Sequence, residues 1–166
     1  MIKGGGKKGF IGDLGLVMAV LFIIALVVII GFKIFDSYNT KWQAQSSVSN
    51  DSKVYIQETH DRYVGLWDGI FMFVFALLTI ALFISATQLG TRPEFFFITL
   101  IVLVFMIGAS AVISNSYETI STNDSINSTS SQFEFIPFVM DNMPFVVLGF
   151  GAVIMMALFV KIRGFL

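Results

Sequence analysis

LGLVMAVLFIIALVVIIGF, residues 14–32, carries no charged side chain, and fourteen of its positions are Leu, Ile, Val or Phe. A helix rising about 1.5 Å per residue over this length spans close to 30 Å, the thickness of bilayer hydrocarbon. Each of those fourteen side chains favours the membrane centre by roughly 0.3–0.6 kcal/mol, so insertion is favourable by several kcal/mol. The solvent of this stretch is therefore lipid. A chain in lipid must satisfy its own backbone hydrogen bonds, and a helix does so.

Three further runs share the property: residues 69–89, 95–113 and 143–160. Together they predict an all-α polytopic membrane protein, 1–166, with four transmembrane helices and two polar outer loops, 33–68 and 114–142. The composition agrees, at 56% apolar and 13% charged residues with a mean hydropathy of +0.85. Nineteen Phe among 166 residues exceed what a soluble core of that size can bury. The chain has no Cys, so disulfides, thiolate zinc sites and thiol chemistry are excluded together.

Local signals mark the ends of the spans. Thr91-Arg92-Pro93-Glu94 reads as a capping box, Thr91 accepting from first-turn amides and Glu94 favouring the positive helix end. It predicts a tight hairpin between the second and third spans. Asn142 before Met143-Pro144 offers a cap for the last span, and Asp13 one for the first. Within the outer segments, residues 53–67 have the apolar content of an interfacial helix leading into span two. The tract STNDSINSTSSQ, 121–132, has little to bury and is expected to be irregular. Residues 132–140, with Phe133, Phe135 and Phe138, are expected at the interface before the last helix.

Charge sets an expected orientation. Lys3, Lys7, Lys8, Arg92, Lys161 and Arg163 fall on the terminal side against Asp13 and Glu94, a net of +4. The other side holds four basic and nine acidic residues, a net of −5. By the positive-inside rule both termini are placed inside. Every Tyr and Trp falls on the outer side, with Tyr38, Trp42, Tyr63, Trp67 and Tyr117 expected as headgroup-level anchors. The basic residues Lys7, Lys8, Arg92, Lys161 and Arg163 are expected at anionic lipid headgroups rather than nucleic acid.

No run contains an ionisable residue, which argues against proton relays, coupled transport and voltage sensing. Thr79, Ser85, Thr87, Thr99 and Ser110 read as helix-packing residues. His60, the sole histidine, reads as part of a solvated interfacial helix, and no enzyme constellation, cofactor, metal site or small-molecule substrate is expected. Small residues four apart, Gly15/Ala19, Gly65/Gly69, Ala81/Ser85 and Ser110/Ser114, would permit close helix packing or self-association.

The plan of four spans with two outer loops is shared with claudins and tetraspanins, but the missing Cys removes the disulfides those families depend on. The chain also resembles the small membrane proteins of tailless icosahedral viruses with an internal lipid membrane. The likeness covers much of the sequence: an anchor helix, an Asn/Ser-rich segment after Ile113-Ser114-Asn115, and Met140-Asp141-Asn142-Met143-Pro144 opening the last helix. It implies a structural virion-membrane protein, its outer loops meeting other membrane or capsid proteins, or further copies, and its basic ends facing the interior. A holin-like pore or small channel, or an accessory subunit of a membrane complex, is the alternative role.

Absence of native Cys permits a direct check of sidedness. A single Cys at Ser128 is expected to react with a membrane-impermeant maleimide from the outer side of sealed cells. A single Cys at Lys8 is expected to react only after permeabilisation, and the reverse pattern would invert the assignment.

Overall fold

The computed structural model describes residues 11–87 and 93–163. These form six helices, with no strand among them: α1 (Ile11–Ala44), α2 (Asn50–Thr87), α3 (Pro93–Ser121), α4 (Asp124–Ser130), α5 (Phe135–Asp141) and α6 (Met143–Ile162). Four of them, α1, α2, α3 and α6, are long and apolar enough to cross a membrane. Around the bundle the packing runs α1 on α2, α2 on α6, α6 on α3 and α3 on α1. The link of residues 88–92 lies outside the described residues, and the helices it joins take their main partners elsewhere, α2 on α1 and α3 on α6.

Burial on α1 follows the helix period. Leu14, Val17, Met18, Leu21, Ala25, Val28, Ile29 and Phe32 turn inward, while Leu16, Ile23, Val27, Ile30 and Ile34 turn outward. Both faces are apolar, as a helix packed on one side and bathed in lipid on the other requires. On α3 and α6 the approach is closest at Gly151, where a Cβ would lie 2.2 Å from the Leu103 side chain. Of the small residues singled out by spacing, Gly15 stands against Met106, whereas a Cβ on Gly65 or Gly69 would meet nothing within 4 Å.

Outside the spans the structure departs from the expected loops. The segment 33–68 is almost entirely helical: α1 extends over 34 residues and α2 over 38, about 50 Å and 57 Å at helical rise. Both exceed the hydrocarbon thickness and project beyond it as an antiparallel hairpin. Only residues 45–49 interrupt it, closed by bonds from Gln45 N to the Trp42 carbonyl and from Lys53 N to that of Ser49. The end of an uncharged run marks where lipid stops being required, and a hydrogen-bonded helix loses nothing by continuing into water. The expected irregular tract 121–132 contains α4, capped by Asn123, whose side chain accepts from Ser125 N. Not all of its hydroxyls are left to solvent: Thr129 and Ser130 are buried, while Ser125 and Ser128 are exposed.

The α3–α6 contact gives a direct test. Gly151→Leu is expected to lower stability by about 1–3 kcal/mol through overpacking against Leu103. Gly149→Ala, where the added Cβ meets nothing within 4 Å, is expected to be neutral or stabilising in the same detergent unfolding assay.

Candidate functional site

The C-terminal ends of α1 and α3 and the N-terminal end of α2, with α4 and α5, form a helical cap held by polar ties. Along the α1–α2 hairpin these ties repeat at each turn. Asp36 Oδ1 lies 3.1 Å from His60 Nε2, Asn39 Nδ2 donates to Gln57 Oε1 at 3.0 Å, and Gln43 Nε2 donates to the Lys53 carbonyl at 2.9 Å. His60 is not the solvated residue its polar neighbours implied. It is 6% exposed, with Asp61 Oδ1 3.3 Å from Nδ1 and its ring stacked on Phe35 and tilted against Phe32.

Asp68 makes the longest tie. Placed just before the uncharged run of α2, its carboxylate accepts from three successive backbone amides, Glu134 at 3.2 Å, Phe135 at 2.8 Å and Ile136 at 2.9 Å. A helix start leaves such amides without partners, and a carboxylate from another helix supplies them. This fixes α5 against α2, and the rings follow: Phe135 packs edge-on against Phe71 and Phe75. Phe133 packs edge-on against Phe32 of α1. Sequence reasoning missed Asp68, because its partners lie more than sixty residues away and are backbone groups that no motif displays.

The expected caps and anchors divide. Asn142 stands at the α5–α6 junction, where its carbonyl accepts from Val146 N and opens α6. Its side chain works in the other direction, donating to the Phe138 carbonyl at 2.8 Å and closing α5. Asp13 lies in the first turn of α1, and its carboxylate accepts from the Ser85 hydroxyl of α2. Thr91, Arg92, Lys7 and Lys8, and the side chains of Glu94 and Lys161, lie outside the described residues. Arg163 places its guanidinium 4.6 Å from the Phe159 ring centroid. Tyr38, Trp42 and Trp67 are exposed and Tyr63 is half-buried.

Tyr117 is a correction. It is fully buried among the helices of the cap, with Ser130 of α4 beside its hydroxyl, so it serves as a core residue and not as a headgroup anchor. The short helices α4 and α5 pack on α3, where the sequence led to an open polar loop.

The outward surface of the cap divides by charge. From Pro93 to Val160 there is no Lys or Arg, and Glu118, Asp124, Glu134 and Asp141 are all exposed. Partial burial pushes the Asp141 carboxyl above its usual range, with Glu118 nearby adding to the effect. The Ser114 hydroxyl donates to the Asp141 carbonyl at 2.8 Å and ties α3 to the end of α5. No group of three or more metal-ligating side chains is gathered among the described residues.

The fold defines a multi-pass α-helical membrane protein with an ordered polar cap at one end of the bundle. No protein-family model, curated protein or solved structure matches the chain.

The Asp68 tie is expected to carry measurable stability. Asp68→Ala should cost about 1.5–3 kcal/mol, in the range of hydrogen bonds to a charged group, and speed amide exchange at Phe135 and Ile136. Asp68→Asn, which keeps an acceptor oxygen, should recover part of the protection. Unchanged exchange in Asp68→Ala would remove α5 from its control.

Proposed function

We propose that this chain is a non-enzymatic structural membrane protein whose outer cap docks partner proteins, as the small structural proteins of a virion's internal membrane do. The observation that carries this reading is how the polar residues of the cap are used. Asp36, Asn39, Gln43, His60 and Asp68 all bond to neighbouring helices or their backbones, so they build a platform. A rigid platform lowers the entropy cost of docking, because its side chains and loops are already ordered.

The acidic face formed by Glu118, Asp124 and Glu134 gives that platform a charge to be matched, so the complementary partner surface is basic. Basic residues on the terminal side meet anionic headgroups and keep the cap facing outward. The termini are read as inside on that basis.

Carbodiimide coupling in native membranes or particles tests the proposal, since it joins exposed carboxylates to lysines in contact with them. The expected result is a discrete adduct with another protein or a second copy, weakened in the Glu118→Gln/Glu134→Gln double variant. Recovery of freely diffusing monomers alone, or dye release from vesicles carrying the pure protein, would overturn it.

A further inference from the structure

The α1–α2 face carries a groove that the partner reading does not use. Where the hairpin leaves the membrane, a groove of about 380 Å³ opens between the two helices, walled by Val27, Gly31, Phe32, Phe35, Tyr63 and Trp67. Gly31 is its floor, and a Cβ there would meet nothing within 4 Å, so the space is real and accessible from the side.

The groove straddles the boundary between lipid and water. Val27 and Gly31 belong to the uncharged run ending at Phe32, whereas Tyr63 and Trp67 lie on the outer side of the uncharged run beginning at Gly69. Its lower part therefore meets acyl chains and its upper part meets headgroups.

A second hollow of about 420 Å³ shares Tyr63 as a wall and adds Thr59, Arg62 and Leu66. Arg62 and Leu66 are one helical turn apart on α2, as are Tyr63 and Trp67, so the two hollows lie side by side on that helix. Arg62 is exposed, and among the described residues no carboxylate forms an ion pair with it, although Glu58 stands one turn before it on the same helix. An unpaired guanidinium presents a planar set of donors suited to phosphate, whereas the Thr59 hydroxyl is already spent on the Tyr55 carbonyl at 2.8 Å. The other large groove of the outer surface, about 630 Å³ beside Gly65 and Gly69, contains Asp68 and Glu134 with no cation. That groove repels what the first attracts.

We infer that the α1–α2 groove binds one outer-leaflet glycerophospholipid, an acyl chain lying over Gly31 between Phe35 and Trp67 and the phosphate on Arg62. The aromatic walls give the chain a fixed surface in place of mobile lipid. The phosphate contact sets the depth of the hairpin relative to the headgroups.

The test uses the full chain reconstituted in vesicles of phosphatidylglycerol and phosphatidylcholine, then extracted in mild detergent for native mass spectrometry. One retained phospholipid per chain is expected. Gly31→Leu, which fills the floor, and Arg62→Gln, which removes the charge, are each expected to reduce retention about tenfold. Gly65→Leu in the acidic groove should leave it unchanged, and circular dichroism should show the same helix content in all three variants. Diacylglycerol, with the same chains and no phosphate, should be retained at least about tenfold less than phospholipid. Equal retention in Gly31→Leu and Arg62→Gln, equal loss in Gly65→Leu, or equal retention of diacylglycerol would overturn the inference. So would a co-purifying protein segment in place of lipid.

Discussion

A backbone in hydrocarbon has no water to bond to, and every other feature of this molecule is arranged around that constraint. It makes α1, α2, α3 and α6 helical regardless of their packing, and it lets their side chains be apolar on all faces. Association between such helices then rests on shape rather than on hydrophobic burial, since lipid is as apolar as Leu. Gly151 against Leu103 and Gly15 against Met106 are the places where shape decides the bundle.

Above the membrane the balance reverses. Water competes for every polar group there, so the cap needs ties that remain favourable in its presence. Partly buried ones serve: His60 between Asp36 and two phenylalanine rings, Asn39 on Gln57, and Asp68 on the first amides of α5. The aromatic residues link these ties to the spans. Phe133 rests on Phe32, Phe135 on Phe71 and Phe75, and Phe75 on Phe150 of α6. The rings pass without a break from the cap into the membrane-spanning bundle, so the two parts share one core.

The same arrangement separates the surfaces available for recognition. The acidic residues Glu118 of α3, Asp124 of α4 and Asp141 of α5 are exposed. The aromatic and arginine-bearing groove lies on the other side, between α1 and α2 at the lipid boundary. The two surfaces thus differ in chemistry and share no residue.

Four spans, their approximate limits and the charge asymmetry were legible in the residues, because insertion energy is a sum over local side chains and needs no partner. Helix continuity beyond Phe32, the α4 turn and the burial of His60 and Tyr117 were not. Lys33, Asp36 and the Ser/Thr/Asn tract around Asn127 have the composition of loops, and only contact with neighbouring helices makes burying them favourable. Spacing likewise nominated Gly65 and Gly69 for packing and passed over Gly151, since a glycine shows what it permits and never what approaches it. The sequence by itself determined which segments lie in lipid. Tertiary structure decided which polar groups are ties and which remain free, because that depends on atoms brought within about 3 Å across helices distant in the chain.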